Sequence, residues 1–310
     1  MDNNSQPLYN SKKSGIAFTM SAIIPVMLSF IFALTVQIIA ASNSVARGLS
    51  VTELYNEYIS KNWFIYASFL ISQFSFFLII LYFHKYQNIK IQKIVKVKFN
   101  SKYIFIGLIM SFGLLFGLSY ANEYFLKFLK IFGLEPAGTS IPSMNTVYDF
   151  ILSLIIIACM PAIFEELLFR GIIINGIKKI GTAQAVLSCG ILFALFHQNP
   201  SQTVYQFING ALFALLAIRS GSVIPTMMMH FINNAYILTI YYLFPEFELN
   251  GSIKIIIIVF ALLAIIFTTI YLIFFDKNNA KKKTEDAKTF FKYSAFGVLL
   301  CSFLWIAGLF

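Results

Sequence analysis

Charged side chains are scarce in this chain, at 12% of its 310 residues, against roughly 25% in an average soluble domain. The hydrophobic share is 59%, and so few charges could not cover that much apolar surface in a soluble protein of this length. Several apolar stretches exceed the ~18 residues that mark a membrane-spanning helix. The composition therefore excludes an ordinary soluble domain and predicts an all-α, polytopic transmembrane helix bundle.

Cysteine is also rare, and the motifs that would bind a metal explicitly are missing. The three cysteines, Cys159, Cys189 and Cys301, each lie inside an apolar run and show no CxxC spacing. The chain also lacks HExxH, which would make a zinc site explicit. We interpret the cysteines as small buried hydrophobic residues.

Acidic residues are few as well, with 13 aspartates and glutamates against 23 lysines and arginines, which gives a formal charge of +10. In a soluble protein this balance would suggest a nucleic-acid partner. Here the lysines cluster in short segments between apolar stretches, above all 84–102 and 276–292, where the positive-inside rule accounts for them. We therefore expect membrane lipids as partners, no nucleic acid, and a cytoplasmic N-terminus.

The apolar segments predict about eight or nine membrane spans, because the fifth and sixth segments are short. No internal repeat and no soluble domain stands out. The nine segments are 16–41, 63–83, 103–126, 150–177, 183–197, 203–218, 222–244, 253–275 and 293–310.

A few polar residues lie inside these spans, where an ionisable group is costly and is therefore a candidate functional residue. With ~1.5 Å of rise per helical residue, Glu165 lies ~20 Å from Lys178, and the two histidines lie ~16–22 Å from the basic ends of their own helices. Three helices thus bring a carboxylate and two imidazoles to a similar depth in a ~30 Å membrane core. The candidates are Glu165, Glu166, Arg170, His197, His230 and Asn234.

Spacing within the first of these helices separates two roles for its two glutamates. Glu166 and Arg170 are four residues apart, so they share a helix face and can form an ion pair in the favourable order. Glu165 is rotated by about 100° from Glu166 and is not aligned with Arg170. We expect Glu165 to be the unpaired carboxylate, available as a general base.

The other two helices supply imidazoles and amides. Phe193 precedes His197 by four residues, so its ring can cover the imidazole on one side. His230 and Asn234 share a face and can donate hydrogen bonds to a developing oxyanion, and Asn233 is the competing candidate. Either histidine taken alone could simply bond a neighbouring helix, but the combination with an unpaired carboxylate favours a catalytic site.

Three short motifs follow one another on successive spans. Residues 165–170 read EELLFR and fit EExxxR, residues 193–197 read FALFH and fit FxxxH, and residues 230–234 read HFINN and fit HxxxN. In this order they resemble the type II CAAX prenyl protease and bacteriocin-processing family of intramembrane proteases, called CPBP or ABI. The resemblance covers about 150–240, less than a third of the chain.

The resemblance implies a role for each motif residue. Glu165 and His197 would activate the attacking water, His230 and Asn234 would stabilise the oxyanion, and the ion pair beside them would support the site. It also divides the chain into N-terminal spans with a basic loop at 1–149, a catalytic core at 150–240 and C-terminal spans at 241–310.

The cofactor stays open at this point. Glu165, His197 and His230 could form a zinc site with one open position. A water activated by glutamate explains the same residues without a metal, and we favour that mechanism.

The resemblance implies an intramembrane endopeptidase that acts on membrane-associated or lipidated peptides in the cell membrane, with the composition indicating a bacterial source. Its polar cavity is expected to open to the cytoplasmic side. The alternatives are a non-catalytic immunity or peptide-binding protein of the same family and a transporter. The lack of internal repeats argues against the transporter.

Overall fold

The computed structural model describes residues 10–96, 99–136, 138, 140–246 and 251–310, and within these ranges it contains helices and no strand. The predicted all-α, polytopic bundle is confirmed. The helices are α1 Ser11–Arg47, α2 Val51–Ile59, α3 Asn62–Tyr86, α4 Ile91–Val95, α5 Lys102–Ile131, α6 Val147–Ile180, α7 Thr182–Phe196, α8 Thr203–Ser220, α9 Ile224–Leu243, α10 Gly251–Phe275 and α11 Lys288–Ala307.

Two of the nine predicted apolar segments are not among the helices that qualify as spans by length and hydropathy. Among the described residues, seven helices are long and apolar enough to cross a membrane: α1, α3, α5, α6, α8 with its preceding turn, α10 and α11. The predicted segment 183–197 is α7, whose 15 residues rise only ~22 Å. The predicted segment 222–244 is α9, which is long enough but carries His230, Asn233 and Asn234.

One end of the bundle gathers the lysine-bearing segments. α1, α5, α7, α9 and α11 begin there, and α3, α6, α8 and α10 end there. Lys13 Nζ on α1 donates to the carbonyl of Gln87 beyond α3 at 3.0 Å. Lys179 Nζ on α6 contacts Glu285 before α11 at 2.9 Å. We call this the lysine-rich end, and the other is the opposite end.

The opposite end is joined by fewer polar contacts. Trp305 Nε1 on α11 donates to Thr203 Oγ1 at the start of α8 at 2.7 Å. Asn62 Nδ2 at the start of α3 donates to the carbonyl of Ser143 at 2.8 Å. These two contacts join α11 to α8 and α3 to the segment before α6 at this end, and the division of the chain into three parts stays a prediction.

Buried apolar side chains fill the lysine-rich half of the bundle. Phe18 of α1, Phe83 of α3, Phe169 and Ile173 of α6, and Val223 before α9 belong to one core cluster and are almost fully buried. These side chains pack against one another in this half of the bundle. The cavity described below therefore lies above the cluster, toward the opposite end.

Two glycines let α7 and α8 approach closely. A Cβ on Gly190 would lie 2.8 Å from the Phe207 carbonyl, and one on Gly210 would lie 2.8 Å from the Phe193 Cβ. Small residues at such crossings allow backbones to touch within a membrane. The close contact brings Phe193 and the end of α7 against α8.

Candidate active site

The three ionisable residues expected at similar depth share one cavity. Glu165 from α6, His197 from the end of α7 and His230 from α9 all line a volume of about 820 Å³. The prediction that separate helices bring these residues together is confirmed. Whether each performs its predicted role stays a prediction.

The cavity extends toward the opposite end of the bundle. Its lining includes Gln198, Asn199 and Gln202 in the turn between α7 and α8, and among the described residues that line it there is no lysine or arginine. Because α7 is short, the turn between α7 and α8 lies deeper in the bundle than the neighbouring helices reach. This leaves space between the turn and the opposite end of the bundle. The cavity therefore lies toward the end away from the lysine-rich segments, and the side of the membrane on which it opens stays a prediction.

A buried ion pair supports the floor of the cavity. Arg170 Nη1 donates to Glu166 Oε1 at 2.9 Å, and both side chains are fully buried, as their four-residue spacing predicts. Arg170 Nη2 also donates to the Gly210 carbonyl at 3.3 Å. The guanidinium lies over the rings of Phe193 at 4.3 Å and Phe213 at 5.1 Å. Paired carboxylate, carbonyl and aromatic faces together compensate a charge that would be expensive to bury alone.

His230 joins this pair through a contact that the sequence did not predict. Its Nδ1 lies 2.9 Å from Glu166 Oε1. An ionised carboxylate can only accept, so Nδ1 carries a proton and Nε2 is the nitrogen left for chemistry. Glu166 thus fixes both Arg170 and the orientation of the His230 ring.

Glu165 is placed differently from its neighbour. It lines the cavity and is 8% exposed, and its Oε2 has no hydrogen-bond partner among the described residues. Gln73 of α3 lies beside it and interacts with the carboxylate. Glu165 is therefore the carboxylate that can take up a proton within the cavity, as the helix geometry predicts.

His197 ends α7 with its tautomer assigned by a backbone contact. Its Nδ1 lies 2.8 Å from the Phe193 carbonyl. A carbonyl only accepts, so Nδ1 donates and the neutral ring keeps its lone pair on Nε2. The Phe193 ring contacts the imidazole at 4.6 Å between centroids, with the planes at 69°, so it covers the histidine by an edge contact rather than by stacking.

Asn234 has a structural partner that explains part of its placement. Its Nδ2 donates to the Ile157 carbonyl at 3.1 Å. In a regular α-helix that carbonyl would accept from residue 161, but Pro161 has no N–H, and α6 runs through a π-helical segment at Leu154–Cys159. Asn234 therefore satisfies a carbonyl that the proline leaves open, and its oxyanion role stays a prediction.

Asn233, the competing oxyanion candidate, is held by two neighbours. The Tyr205 hydroxyl donates to Asn233 Oδ1, and Asn233 Nδ2 donates to Asn234 Oδ1 at 3.2 Å. Both asparagines line the cavity. The geometry keeps both candidates next to His230.

The proposed zinc ligands do not fit a metal as they are placed. Among the described residues, no three histidine, cysteine, aspartate or glutamate side chains come together closely enough to hold one ion. Glu165, His197 and His230 share the cavity without forming such a cluster. The chemistry below is therefore derived from the side chains alone.

Sequence reasoning identified Asn233 and Asn234 but missed the other carboxamides around the cavity, because it considered mainly ionisable residues. Uncharged polar residues within apolar segments, as in "LISQFSFF" and "TVYQFINGAL", were the available signal. We call these residues the carboxamide set: Gln73, Asn122, Gln198, Asn199, Gln202, Gln206, Asn209, Asn233 and Asn234.

Fold and cavity together define a class: a polytopic membrane protein with a carboxylate and two imidazoles facing a polar cavity inside the helix bundle. Residues 147–236 match the family model described as type II CAAX prenyl endopeptidase, Rce1-like. This segment runs from the start of α6 into α9 and contains all three motifs, so the resemblance seen in them is confirmed over these residues. Neither the curated proteins nor the solved structures include a match to the chain.

Proposed function

We propose that this protein is an intramembrane endopeptidase that hydrolyses peptide bonds of membrane-associated or lipidated peptides with a water activated by Glu165 and His197. The observation that carries the proposal is the unpartnered Glu165 carboxylate oxygen in a cavity that also contains two imidazoles with assigned tautomers. The match of 147–236 to an endopeptidase family supports it.

The residues divide the reaction between them. Glu165 accepts a proton from water while His197 Nε2, an acceptor, holds the water by its other hydrogen. The oxygen attacks the peptide carbonyl carbon, and the oxyanion receives hydrogen bonds from the nearby asparagine amides and, in the imidazolium form of His230, from its Nε2–H. Glu165 then gives its proton to the leaving amine, the C–N bond breaks, and a carboxylic acid and an amine are released.

Glu166 contributes without touching the substrate. It accepts from Nδ1 of His230 and from Arg170, so it fixes which His230 nitrogen faces the reaction. The Arg170 charge keeps Glu166 ionised within the bundle. The pair is therefore assigned a positioning role.

Glu165→Gln is expected to lower peptide cleavage by about 10²–10⁴-fold, because the amide cannot accept the proton from water. Comparative proteomics of membrane peptides in cells with the wild type or Glu165→Ala supplies the substrate. Cleavage of that substrate is then measured with purified protein in nanodiscs.

Glu123→Gln is the matched control, since Glu123 is half-exposed on α5 and pairs only with Lys127. This variant should cleave at the wild-type rate. Activity of Glu165→Gln within a few-fold of the wild type would remove Glu165 as the base. Substrate binding without turnover by the wild type would instead favour the non-catalytic, peptide-binding alternative.

A further inference from the structure

Three amides of the carboxamide set have buried oxygens with no hydrogen-bond partner among the described residues: Gln73 Oε1, Gln206 Oε1 and Asn209 Oδ1. The Gln73 and Asn209 side chains are almost completely buried, at 2% and 3% exposure. A buried acceptor without a hydrogen-bond partner is unfavourable, because it has lost its bond to water without replacing it. Three in one cavity indicate that their partner is a molecule that binds there and supplies hydrogen-bond donors.

Two of these acceptors, Gln206 and Asn209, lie on one face of the start of α8, and Gln206 Nε2 donates to Gln202 Oε1 at 3.1 Å. From residue 206 to 209 the helix rises ~4.5 Å, which lies between the lengths of one and two residues of extended chain. Gln73 lies across the cavity, beside Glu165.

The charges of the cavity limit what can bind. Among the described lining residues, Glu165 is the single carboxylate and there is no lysine or arginine. A charged substrate side chain would lose its hydration here without finding an opposite charge, apart from a cation beside Glu165. The lining therefore suits uncharged segments that offer amide N–H groups.

We propose that the cavity binds an uncharged segment of peptide in an extended conformation, whose backbone N–H groups donate to Gln73, Gln206 and Asn209. A helical segment already uses its backbone N–H groups internally, so these acceptors select unwound chain. The proposal rests on the proposed function in naming the substrate class of the same site, and it specifies how the scissile region is held next to Glu165.

The test uses full-length Glu165→Gln protein in nanodiscs and a pool of decapeptides whose side chains are drawn from alanine, serine, valine and leucine. Bound peptides are recovered and quantified by mass spectrometry against empty nanodiscs. A second pool has the same sequences with N-methylated central amides, which removes the donors. We expect enrichment of the first pool and roughly tenfold less enrichment of the methylated pool, as for the loss of one or more hydrogen bonds.

Two variants connect the result to the named residues. Gln73→Met and Asn209→Leu, each added to Glu165→Gln, should lower enrichment of the unmethylated pool by roughly tenfold. They should not lower the melting temperature, because they remove unsatisfied buried oxygens. Equal enrichment of the two pools, equal enrichment by these variants, or no enrichment over empty nanodiscs would overturn the proposal, the last meaning that water alone occupies these acceptors.

Incubation of the unmethylated pool with wild-type protein separates this proposal from the proposed function. Peptides that bind through the carboxamides but are never cut would refute the endopeptidase and leave the binding mode standing. The methylated pool is incubated in the same way. If it is cut as well as the unmethylated pool, the binding mode is refuted but the endopeptidase is not.

Discussion

Glu166 is the residue on which the charges of the site depend. Its Oε1 lies 2.9 Å from both Arg170 Nη1 and His230 Nδ1, and it is fully buried. Loss of Arg170 would leave a buried carboxylate beside the His230 imidazole and the Thr226 side chain, whereas loss of His230 would leave the ion pair intact. Arg170 therefore compensates the charge of Glu166, whereas His230 is the partner placed to act in the proposed reaction.

Arg170→Ala is expected to destabilise the protein by about 3–5 kcal/mol, the usual result of breaking a buried pair from one side. Thermal unfolding in nanodiscs measures this. The double variant Glu166→Gln/Arg170→Ala removes the unpaired buried charge and should recover part of the loss. Lys127→Ala, at an exposed pair, should leave the stability almost unchanged because solvent screens such pairs. A double variant no more stable than Arg170→Ala would contradict the pairing described here.

At the scale of a single helix, α6 combines a proline, a π-helical segment and an amide from α9. The link between Asn234 Nδ2 and the Ile157 carbonyl ties the irregular part of α6 to the helix that carries His230. The HxxxN motif therefore has a structural role in addition to its predicted catalytic role. The asparagine four residues after the histidine donates a hydrogen bond to the backbone of α6.

Asn234→Leu should therefore destabilise the protein by about 1–3 kcal/mol, since it leaves the Ile157 carbonyl buried without a donor. Pro161→Ala restores an N–H four residues after that carbonyl, so Pro161→Ala/Asn234→Leu should be more stable than Asn234→Leu. Melting temperatures and cleavage rates are compared for the same samples. Full stability of Asn234→Leu with lost cleavage would assign the residue to catalysis alone.

The segment after α10 is held by a second ion pair, at the lysine-rich end. Lys102 Nζ lies 2.8 Å from Asp276 Oδ2. Burial acts to raise the pKa of the Asp276 carboxyl, but the hydrogen bonds from Lys102 and from the Asn278 N–H outweigh it and hold the pKa below its ordinary value of 3.8. A carboxyl with a lowered folded-state pKa stabilises the fold above its unfolded pKa and loses this contribution as the pH falls through the folded value.

Asp276→Asn should therefore lower the melting temperature at neutral pH by an amount that stays constant down to about pH 5. Below pH 3.8 the difference in melting temperature between the wild type and the variant should become smaller. The wild-type carboxyl becomes protonated there and is then uncharged, like the amide of the variant. Melting curves across this range provide the measurement. A difference that is independent of pH down to the acid limit would show that charge at Asp276 contributes nothing.

The contrast between local and distant contacts explains how much of the site could be predicted. The Glu166–Arg170 pair follows from a spacing of four on one helix, and the common depth of Glu165, His197 and His230 follows from counting residues. The contact between His230 and Glu166 joins residues 64 positions apart, and no local pattern encodes it.

The carboxamides around the cavity were missed for a related physical reason. Gln73 and Asn209 line the cavity because α3 and α8 pack around it, which is a property of the tertiary arrangement. The polar residues of α9 lower the hydropathy of that helix, so α9 is not among the candidate spans.

At the scale of the whole molecule, the cavity and the lysines lie toward different ends. The positive-inside rule assigns the lysine-rich end to the cytoplasm, so we expect the cavity to be reached from the other side of the membrane. In a background with Cys159, Cys189 and Cys301 replaced by alanine, Gln202→Cys should react with a membrane-impermeant maleimide in intact cells. Lys282→Cys should react only in inverted vesicles. Reaction of Gln202→Cys only in inverted vesicles, and of Lys282→Cys in intact cells, would mean that the cavity opens on the cytoplasmic side.

The shortness of α7 has a consequence for the lipid around the protein. Leu187 and Ile191 face outward from α7 and are about half exposed, so lipid chains contact a helix that rises only ~22 Å, some ~8 Å less than the hydrocarbon core. Lipids can match such a wall by thinning beside it, at a fraction of a kcal/mol per Å. The bilayer would then be thinnest where the turn between α7 and α8 meets the cavity, which shortens the distance that a membrane-held chain must move from the water interface to Glu165. We therefore expect membrane thickness, in addition to substrate composition, to affect how a substrate reaches Glu165.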